Sequence, residues 1–388
     1  MSECVIFKNR ELLPREWRAL EGGPLWCFNP SLLCAEDGWW LAYRLVGEDQ
    51  RRRIGSCRLN EKLEIVAESA SPLSDTLRVP TKAEYPEQAR NWFADPRLLR
   101  LGTHVFLYWN SGWHEPRNHQ FLQELDLKTM TPMGDARELV LKGERRTIEK
   151  NWMLFGQADG VFAVYSVSPH RILRLDMNGA GDIALEDAYC TDWSAGNSAE
   201  EHGELRGGAA PVLTDGLYTS FCHSVHDSPV GYRYVPSAYQ FDAKPPFAAV
   251  SRPLHPLGLG NPFGAQNILP RLNPPVGEVV YPCGAAIRRK SDPFGKLRMP
   301  CGQKQPIRQA QGALRAEATH STSSGCPAGR GQRPEGPVRP ASTFAEASQD
   351  RQECNNAEWL ISYGINDERC AVAVLPHAEV MGAMEASR

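Results

Sequence analysis

The sequence predicts an all-β fold, a five-bladed β-propeller interrupted by a disordered insertion in its last blade. Three observations lead there. Short segments rich in β-branched and aromatic residues alternate with turns of Gly, Pro, Asn and Asp, as strands do. Proline (30) and glycine (33) are abundant, which favours many short strands over long helices. A three-strand pattern recurs with a period of about fifty residues, the sequence mark of propeller blades. A β-sandwich with coincidental spacing is the alternative.

Each unit opens on a small turn, continues in an aromatic strand and closes in a more polar one. Unit one opens at Phe28-Asn29-Pro30-Ser31, continues from Gly38 to Arg44 and closes from Arg53 to Leu59. Unit two opens at Trp92-Phe93-Ala94-Asp95-Pro96-Arg97 and continues from His104 to Asn110 and from His119 to Asp126. Unit three opens at Glu149-Lys150-Asn151-Trp152, with strands from Gly160 to Val167 and from Arg171 to Asp176. Unit four opens at Arg206-Gly207-Gly208-Ala209, with strands from Leu217 to His223 and from Tyr232 to Phe241. Unit five opens at Val279-Val280-Tyr281-Pro282-Cys283-Gly284, with strands from Glu358 to Tyr363 and from Cys370 to Leu375. In a propeller the unit starts face one axial cavity, so their polar residues are expected to converge there.

Residues 288–356 break the pattern. The stretch holds 12 Lys+Arg and 6 Asp+Glu, a net +6 that leaves −9 on the remainder of the chain. Its two aromatics, Phe294 and Phe344, cannot bury enough apolar surface to offset ordering entropy, so disorder is expected. The strings Ser291 to Arg298 and Arg308 to Gly312 look like translated interspersed repeats. The organisation read from sequence is therefore 1–287 for four units and the start of the fifth, 288–356 for the insertion and 357–388 for the remainder. A long insertion at a surface turn is tolerable, because loop entropy grows slowly with length.

Composition removes several function classes. The net charge of −3 provides no broad basic field for nucleic acid or an anionic membrane. No apolar run reaches about 18 residues, and Met1 to Arg10 has no signal-peptide core, so a cytoplasmic protein is expected. The 11 cysteines form no CxxC pair, which suits free thiols in a reducing compartment. No clustered ligands suggest a metal site, and no phosphate loop, HExxH or GxSxG string is present.

What remains is the set of polar residues at unit starts. Asp95 leads, because it precedes an apolar run where a carboxyl should be partly desolvated. Burial raises a carboxyl pKa and suits a general acid. A turn-capping Asp before Pro96 is the alternative. Trp109, Trp113 and His114 follow the second strand of unit two and are candidates to stack on a sugar or to pack the core.

In order and spacing, these strings resemble glycoside hydrolase family 130, the mannoside phosphorylases and related β-mannosidases. The resemblance rests on Asn29-Pro30, Tyr43-Arg44, Ala94-Asp95-Pro96-Arg97, Glu149-Lys150-Asn151-Trp152, Tyr165 to His170, Arg206-Gly207-Gly208, Cys222-His223-Ser224, Tyr281 to Gly284 and Tyr363 to Asp367. It implies a five-bladed propeller with Asp95 as proton donor; Ala94 stands where the family string has Glu. It implies that Arg44 and Asp367 hold the sugar at the non-reducing end. Asn29, Arg97, Lys150 and His170 are further candidates for substrate binding. Arg206 and His223 fall on phosphate-binding positions. Another family Arg has no match, and His114 and Arg117 lie nearest its place.

The chemistry implied is cleavage of a β-mannoside or similar glycoside with inversion, by phosphate or by water. Water needs a second carboxylate as base, and Glu149 and Glu204 are the candidates. Phosphate needs none, being an anion that Arg binds well. The expected partners are a glycoside or oligosaccharide with inorganic phosphate as co-substrate, without metal or organic cofactor; a homo-oligomer stays open. The rival readings are a non-catalytic sugar-binding propeller and a scaffold for protein partners.

Overall fold

A computed structural model describes residues 3–113, 115–195, 203–229, 231–274, 276–289 and 357–387. The chain starts with strand β1 (Glu3–Ile6). A first antiparallel group follows: β2 (Trp26–Ala35), β3 (Gly38–Val46) and β4 (Arg52–Leu59). The second group is β5 (Ala94–Leu101), β6 (His104–Asn110), β7 (Gln120–Leu125) and β8 (Arg137–Leu141). The third is β9 (Met153–Gln157), β10 (Gly160–Ser166), β11 (His170–Asp176) and β12 (Ile183–Thr191). The fourth is β13 (Glu204–Gly207), β14 (Val212–Thr214), β15 (Leu217–His226) and β16 (Tyr232–Asp242). After the short β17 (Ser251–Pro253), the last group is β18 (Val276–Arg289), β19 (Ala357–Ile365) and β20 (Arg369–Pro376), and β21 (Met384–Ala386) pairs back onto β17.

Strand periodicity explains how the groups join. Successive side chains on a strand point to opposite faces. On β3, Trp39, Leu41, Tyr43 and Leu45 pack towards Leu360, Val372 and Val374 of the last group. Trp40 and Ala42 face the other way, onto Leu98, Leu107 and Trp109 of the second group. The second and third groups meet at Leu99, Tyr108, Leu154 and Ala163. The third and fourth meet at Phe155, Phe162, Tyr218 and Tyr239. The fourth and last meet at Phe221, Ala238, Trp359 and Ile361. Each apolar layer lies between neighbours in sequence, and one lies between last and first, so the groups close on themselves. β1 seals the closure by pairing with β20 from Glu3↔Val374 to Ile6↔Ala371, which covers an edge strand.

The first strands of the groups come so close that only glycine fits at several points. A Cβ on Gly207 would lie 2.1 Å from the Asn151 carbonyl oxygen, and one on Gly284 would lie 2.6 Å from the Leu32 nitrogen. Neither obstacle is a flexible side-chain tip; both are backbone atoms. Gly207→Ala is therefore expected to cost about 2–3 kcal/mol through overpacking, read as a lower urea midpoint. An unchanged midpoint would contradict this close approach.

One sequence boundary moves. Residues 288 and 289, expected to begin the insertion, belong to β18 and pair with β19 as Arg288↔Glu358 and Arg289↔Ala357. Arg288 donates to the Glu358 carboxylate at 3.0 Å and to the Glu61 carbonyl at 3.3 Å. The expectation of disorder falls on residues 290–356, outside the described residues. Among the described residues no helix is long and apolar enough to cross a membrane.

Candidate active site

The unit starts share a backbone device. The ladder slips between Phe28 and Ser31 in the first group and between Ala94 and Arg97 in the second. At the slip, Asn29 (φ 52°) and Asp95 (φ 51°) adopt the left-handed conformation, as does Asn151 (φ 64°) ahead of β9. A non-glycine residue there costs on the order of 1–3 kcal/mol, and Pro30 and Pro96 narrow the choices of the residue before them. The bulge re-aims the side chain out of the ladder. Asn29 and Asp95 meet as a result: Asn29 Nδ2 donates to Asp95 Oδ1 at 2.7 Å. In the last group, Asn366 (φ 52°) and Asp367 (φ 54°) form the turn between β19 and β20 with the same backbone sign.

Arg44 completes the centre. Its Nη1 lies 3.6 Å from Asp95 Oδ1, and its guanidinium sits over the Phe28 ring at 5.0 Å. Lys150, an exposed residue, acts electrostatically on Asp95, Asp367 and His223. Arg206 lies opposite His223 in the β13–β15 ladder and acts on its charge. Asp367 couples to both Arg44 and Asp95, and its Oδ2 accepts from Asn273 Nδ2 at 2.6 Å. Asn29, Arg44, Asp95, Lys150, Arg206, His223 and Asp367, from all five groups, thus surround one locus.

Two candidates lie elsewhere. Arg97, expected on the substrate, is 3% exposed, with Nε donating to the Gly208 carbonyl and Nη1 to the Pro96 carbonyl, each at 3.1 Å. Its Nη2 donates to the Tyr281 hydroxyl, which donates on to Asn151 Oδ1 at 2.7 Å. Arg97 therefore stitches the first strands together and acts on Asp95 only through its charge. His170 is fully buried, with Nε2 3.2 Å from the Tyr239 hydroxyl and its ring 5.1 Å from that of Phe241. That places it in the apolar layer between the third and fourth groups, where burial lowers its pKa to about 4. It is a neutral core residue away from the locus.

The electrostatics correct one expectation. Burial pushes the Asp95 carboxyl up, as the sequence argument required. Arg44, Arg97, the Asn29 hydrogen bond and Lys150 outweigh it and hold Asp95 below the ordinary carboxylate value. Asp367 goes the other way: burial, aided by Asp95, raises it against Asn273 and Arg44. His223 is driven well below its usual value by burial, then by Arg206, Lys150 and Arg97, so it is a neutral imidazole rather than a cation. It stacks on Tyr234 at 5.1 Å and meets Tyr281 edge-on at 4.6 Å. Its Nδ1 is buried without a protein partner.

The sequence reading passed over Arg52, Asn151, Asn273 and Tyr281. Arg52 is 7% exposed and sits over Trp92 at 4.9 Å. Burial and Arg44 bring its pKa down to about 10, against the pull of Asp367. Asn151 could have been found, since it opens unit three as Asn29 opens unit one. Nothing in the Arg51-Arg52-Arg53 run singles out its middle residue. The two candidate bases are otherwise engaged. Glu149 is 3% exposed and accepts from the Arg146 amide and the Tyr165 hydroxyl. Glu204 is a largely exposed partner of Arg206 at 3.7 Å. Of the stacking candidates, Trp109 is fully buried, Trp113 is 72% exposed and His114 lies outside the described residues.

The chain overlaps a solved structure described as showing that the GH130 family of mannoside phosphorylases contains glycoside hydrolases targeting β-1,2 mannosidic linkages in Candida mannan. The overlap has a TM-score of 0.50 at 12% identity and covers 90% of this chain and 84% of that one. The two chains share one fold over that length. Also similar are a β-1,2-mannobiose phosphorylase from Listeria innocua (TM-score 0.49, 13% identity, 98% and 99% of the two chains) and a putative glycoside hydrolase from Parabacteroides distasonis (0.49, 13%, 90% and 86%). No protein-family model and no curated protein sequence matches the chain. The GH130 likeness is thus one of backbone, and the roles of Asp95 and its neighbours rest on the geometry above.

Proposed function

We propose that this chain is a five-bladed β-propeller enzyme that cleaves a β-mannoside or similar glycoside with inversion, using inorganic phosphate as nucleophile. The five closed antiparallel groups support the blade count. One observation carries the chemistry: two carboxylates, Asp95 and Asp367, share the locus with Arg44, Arg52, Lys150 and Arg206, above the buried charge of Arg97. That surplus of cations suits an anionic co-substrate.

In this reading Asp95 protonates the leaving oxygen, directly or through a sugar hydroxyl, as the bond from that oxygen to the anomeric carbon breaks. A phosphate oxygen bonds to that carbon from the opposite face, yielding a sugar 1-phosphate of inverted configuration. Phosphate arrives as an anion and needs no base; of the two candidate bases, Glu149 is held by the Arg146 amide and the Tyr165 hydroxyl, and Glu204 is paired with Arg206. Arg44, Asn29 and Asp367 orient the sugar, while Lys150, Arg206 and neutral His223 hold the phosphate. Because Asp95 is held ionised in the free protein, sugar hydroxyls must take over Asn29 and Arg44 before burial can raise it and load the proton.

The test is incubation with β-1,2- and β-1,4-linked mannobiose, with and without inorganic phosphate. Sugar 1-phosphate formed only when phosphate is present is the expected result. Free mannose at equal rates in both would replace phosphate with water. No release from either disaccharide would remove the enzymatic reading in favour of a sugar-binding module.

A further inference from the structure

Asp367 sits in the turn Asn366-Asp367-Glu368, and all three side chains of that turn are tied to one segment, the strap from Asn261 to Asn273 that leads into β18. Asn366 Nδ2 donates to the Gly264 carbonyl at 2.9 Å and to the Gln266 carbonyl at 3.2 Å. The buried Glu368 carboxylate accepts from Asn267 Nδ2 at 3.0 Å and from the Ile268 and Leu269 amides at 3.1 and 3.2 Å. Between them, Asp367 Oδ2 accepts from Asn273 Nδ2 at 2.6 Å. Among the described residues the other oxygen, Oδ1, has no donor. The strap also rests on the first group. Leu269 and Leu272 pack on the layer of Trp26, Phe28 and Val46, and Trp26 Nε1 donates to the Pro270 carbonyl at 3.1 Å. Phe28 is the ring that carries Arg44. Leu272 therefore packs on the layer that seats Arg44, and the next residue, Asn273, grips Asp367.

We propose that Asn273 is a positioning residue of the sugar site: it holds one oxygen of Asp367 and so leaves the other to a sugar hydroxyl. The inference rests on the reading of Asp367 as a group that orients the sugar, and it names the residue that makes Asp367 effective. The physical reasons are two. A carboxylate with one oxygen already engaged has less rotamer freedom to lose when sugar binds. An amide N–H donated to a carboxylate also favours the ionised form, the stronger acceptor. At Asp367 that bond works against the rise that burial imposes. The strap keeps its ties to Asn366, Glu368 and Trp26 without Asn273, so the amide is not needed to hold the strap in place.

The test measures kcat and KM for β-linked mannobiose, and KM for inorganic phosphate, in wild type, Asn273→Ala and Asn273→Asp at mildly acid and mildly alkaline pH. Asn273→Ala should raise KM for the disaccharide about tenfold to a hundredfold, the loss of one hydrogen bond to a charged group, with kcat and the KM for phosphate within about twofold. Asn273→Asp puts two carboxyls in contact. In acid one of them keeps a proton and donates it in place of the amide, so KM should return to within about threefold of wild type. At alkaline pH both ionise and repel, and the loss should exceed that of Asn273→Ala. Arg44, Arg52, Asp95, Lys150, Tyr234 and Cys283 face Asp367 from the other elements and are common to all three proteins, so the ratio of variant to wild type isolates the new pair. An unchanged KM in Asn273→Ala, or an equal rise for disaccharide and phosphate, would overturn the inference and leave the cleavage reading intact. So would a loss in Asn273→Asp that does not vary with pH. A collapsed urea midpoint in Asn273→Ala would make the residue a structural tie and overturn the inference as well. A wild type inactive on the disaccharide would remove the cleavage reading itself, and the positioning role with it.

Discussion

Asp95→Asn is expected to lower turnover by about a hundredfold to ten-thousandfold, the usual contribution of a positioned general acid. The amide keeps the shape of the carboxyl and cannot give up a proton at neutral pH. Binding of the disaccharide, measured calorimetrically, should change far less than turnover. Thermal unfolding serves as a control, because Arg44 loses its carboxylate partner. The same residue predicts a divergence between two pH profiles. In the free protein Asp95 titrates below the ordinary carboxylate range, since Arg44, Arg97, Asn29 and Lys150 together outweigh burial. The kcat/KM profile follows the free protein and kcat follows the complex, so the basic limb of kcat should lie at higher pH than that of kcat/KM. Coincident limbs would mean that substrate does not reload the carboxyl. Unchanged turnover in Asp95→Asn would end its assignment as proton donor.

Arg97→Ala is expected to destabilise the fold by about 3–5 kcal/mol, the cost of removing one partner from a buried charged network. Arg97 is 3% exposed and serves acceptors from three groups: Pro96, Gly208 and Tyr281. Lysine should rescue little, because an ammonium group cannot present the same planar fork. A urea titration reads the effect directly. The contrary result is a variant with wild-type midpoint and a raised KM, which would return Arg97 to the substrate-binding role that the sequence suggested. Folding linkage gives a second readout. Asp95, lowered in the folded state, contributes stability above its unfolded pKa and loses it as pH falls through the folded value. Without Arg97 that acid-side contribution should shrink.

Much of the architecture was legible because it repeats. The five unit openings at Phe28, Trp92, Glu149, Arg206 and Val279 each carry a turn signal ahead of a strand, and each leads into one antiparallel group. The polar residues at those openings were legible for the same reason, since one backbone device recurs at Asn29, Asp95 and Asn151. His170 and Arg97 misled because sequence gives a residue's place along a strand but not the direction in which its side chain is used. His170 begins β11 but points into an aromatic layer, and Arg97 follows the bulge into the packed centre. Asn273 belongs to a segment between units, where no repeat marks position.

By itself, then, the sequence determined the strand segments, their repetition and the residue types gathered at the unit starts. These depend on local patterning, two-residue alternation and turn chemistry. Protonation and exposure were decided only by the tertiary structure. Asp95 is ionised because Arg44 and Asn29, distant in sequence, fold against it. His223 is neutral because burial and three cations disfavour its charge. Trp113 is exposed while Trp109 is buried because the loop between Asn110 and His119 leaves the sheet. Each outcome depends on which groups share a few ångströms of low-dielectric space, and that is fixed by how the groups close on one another.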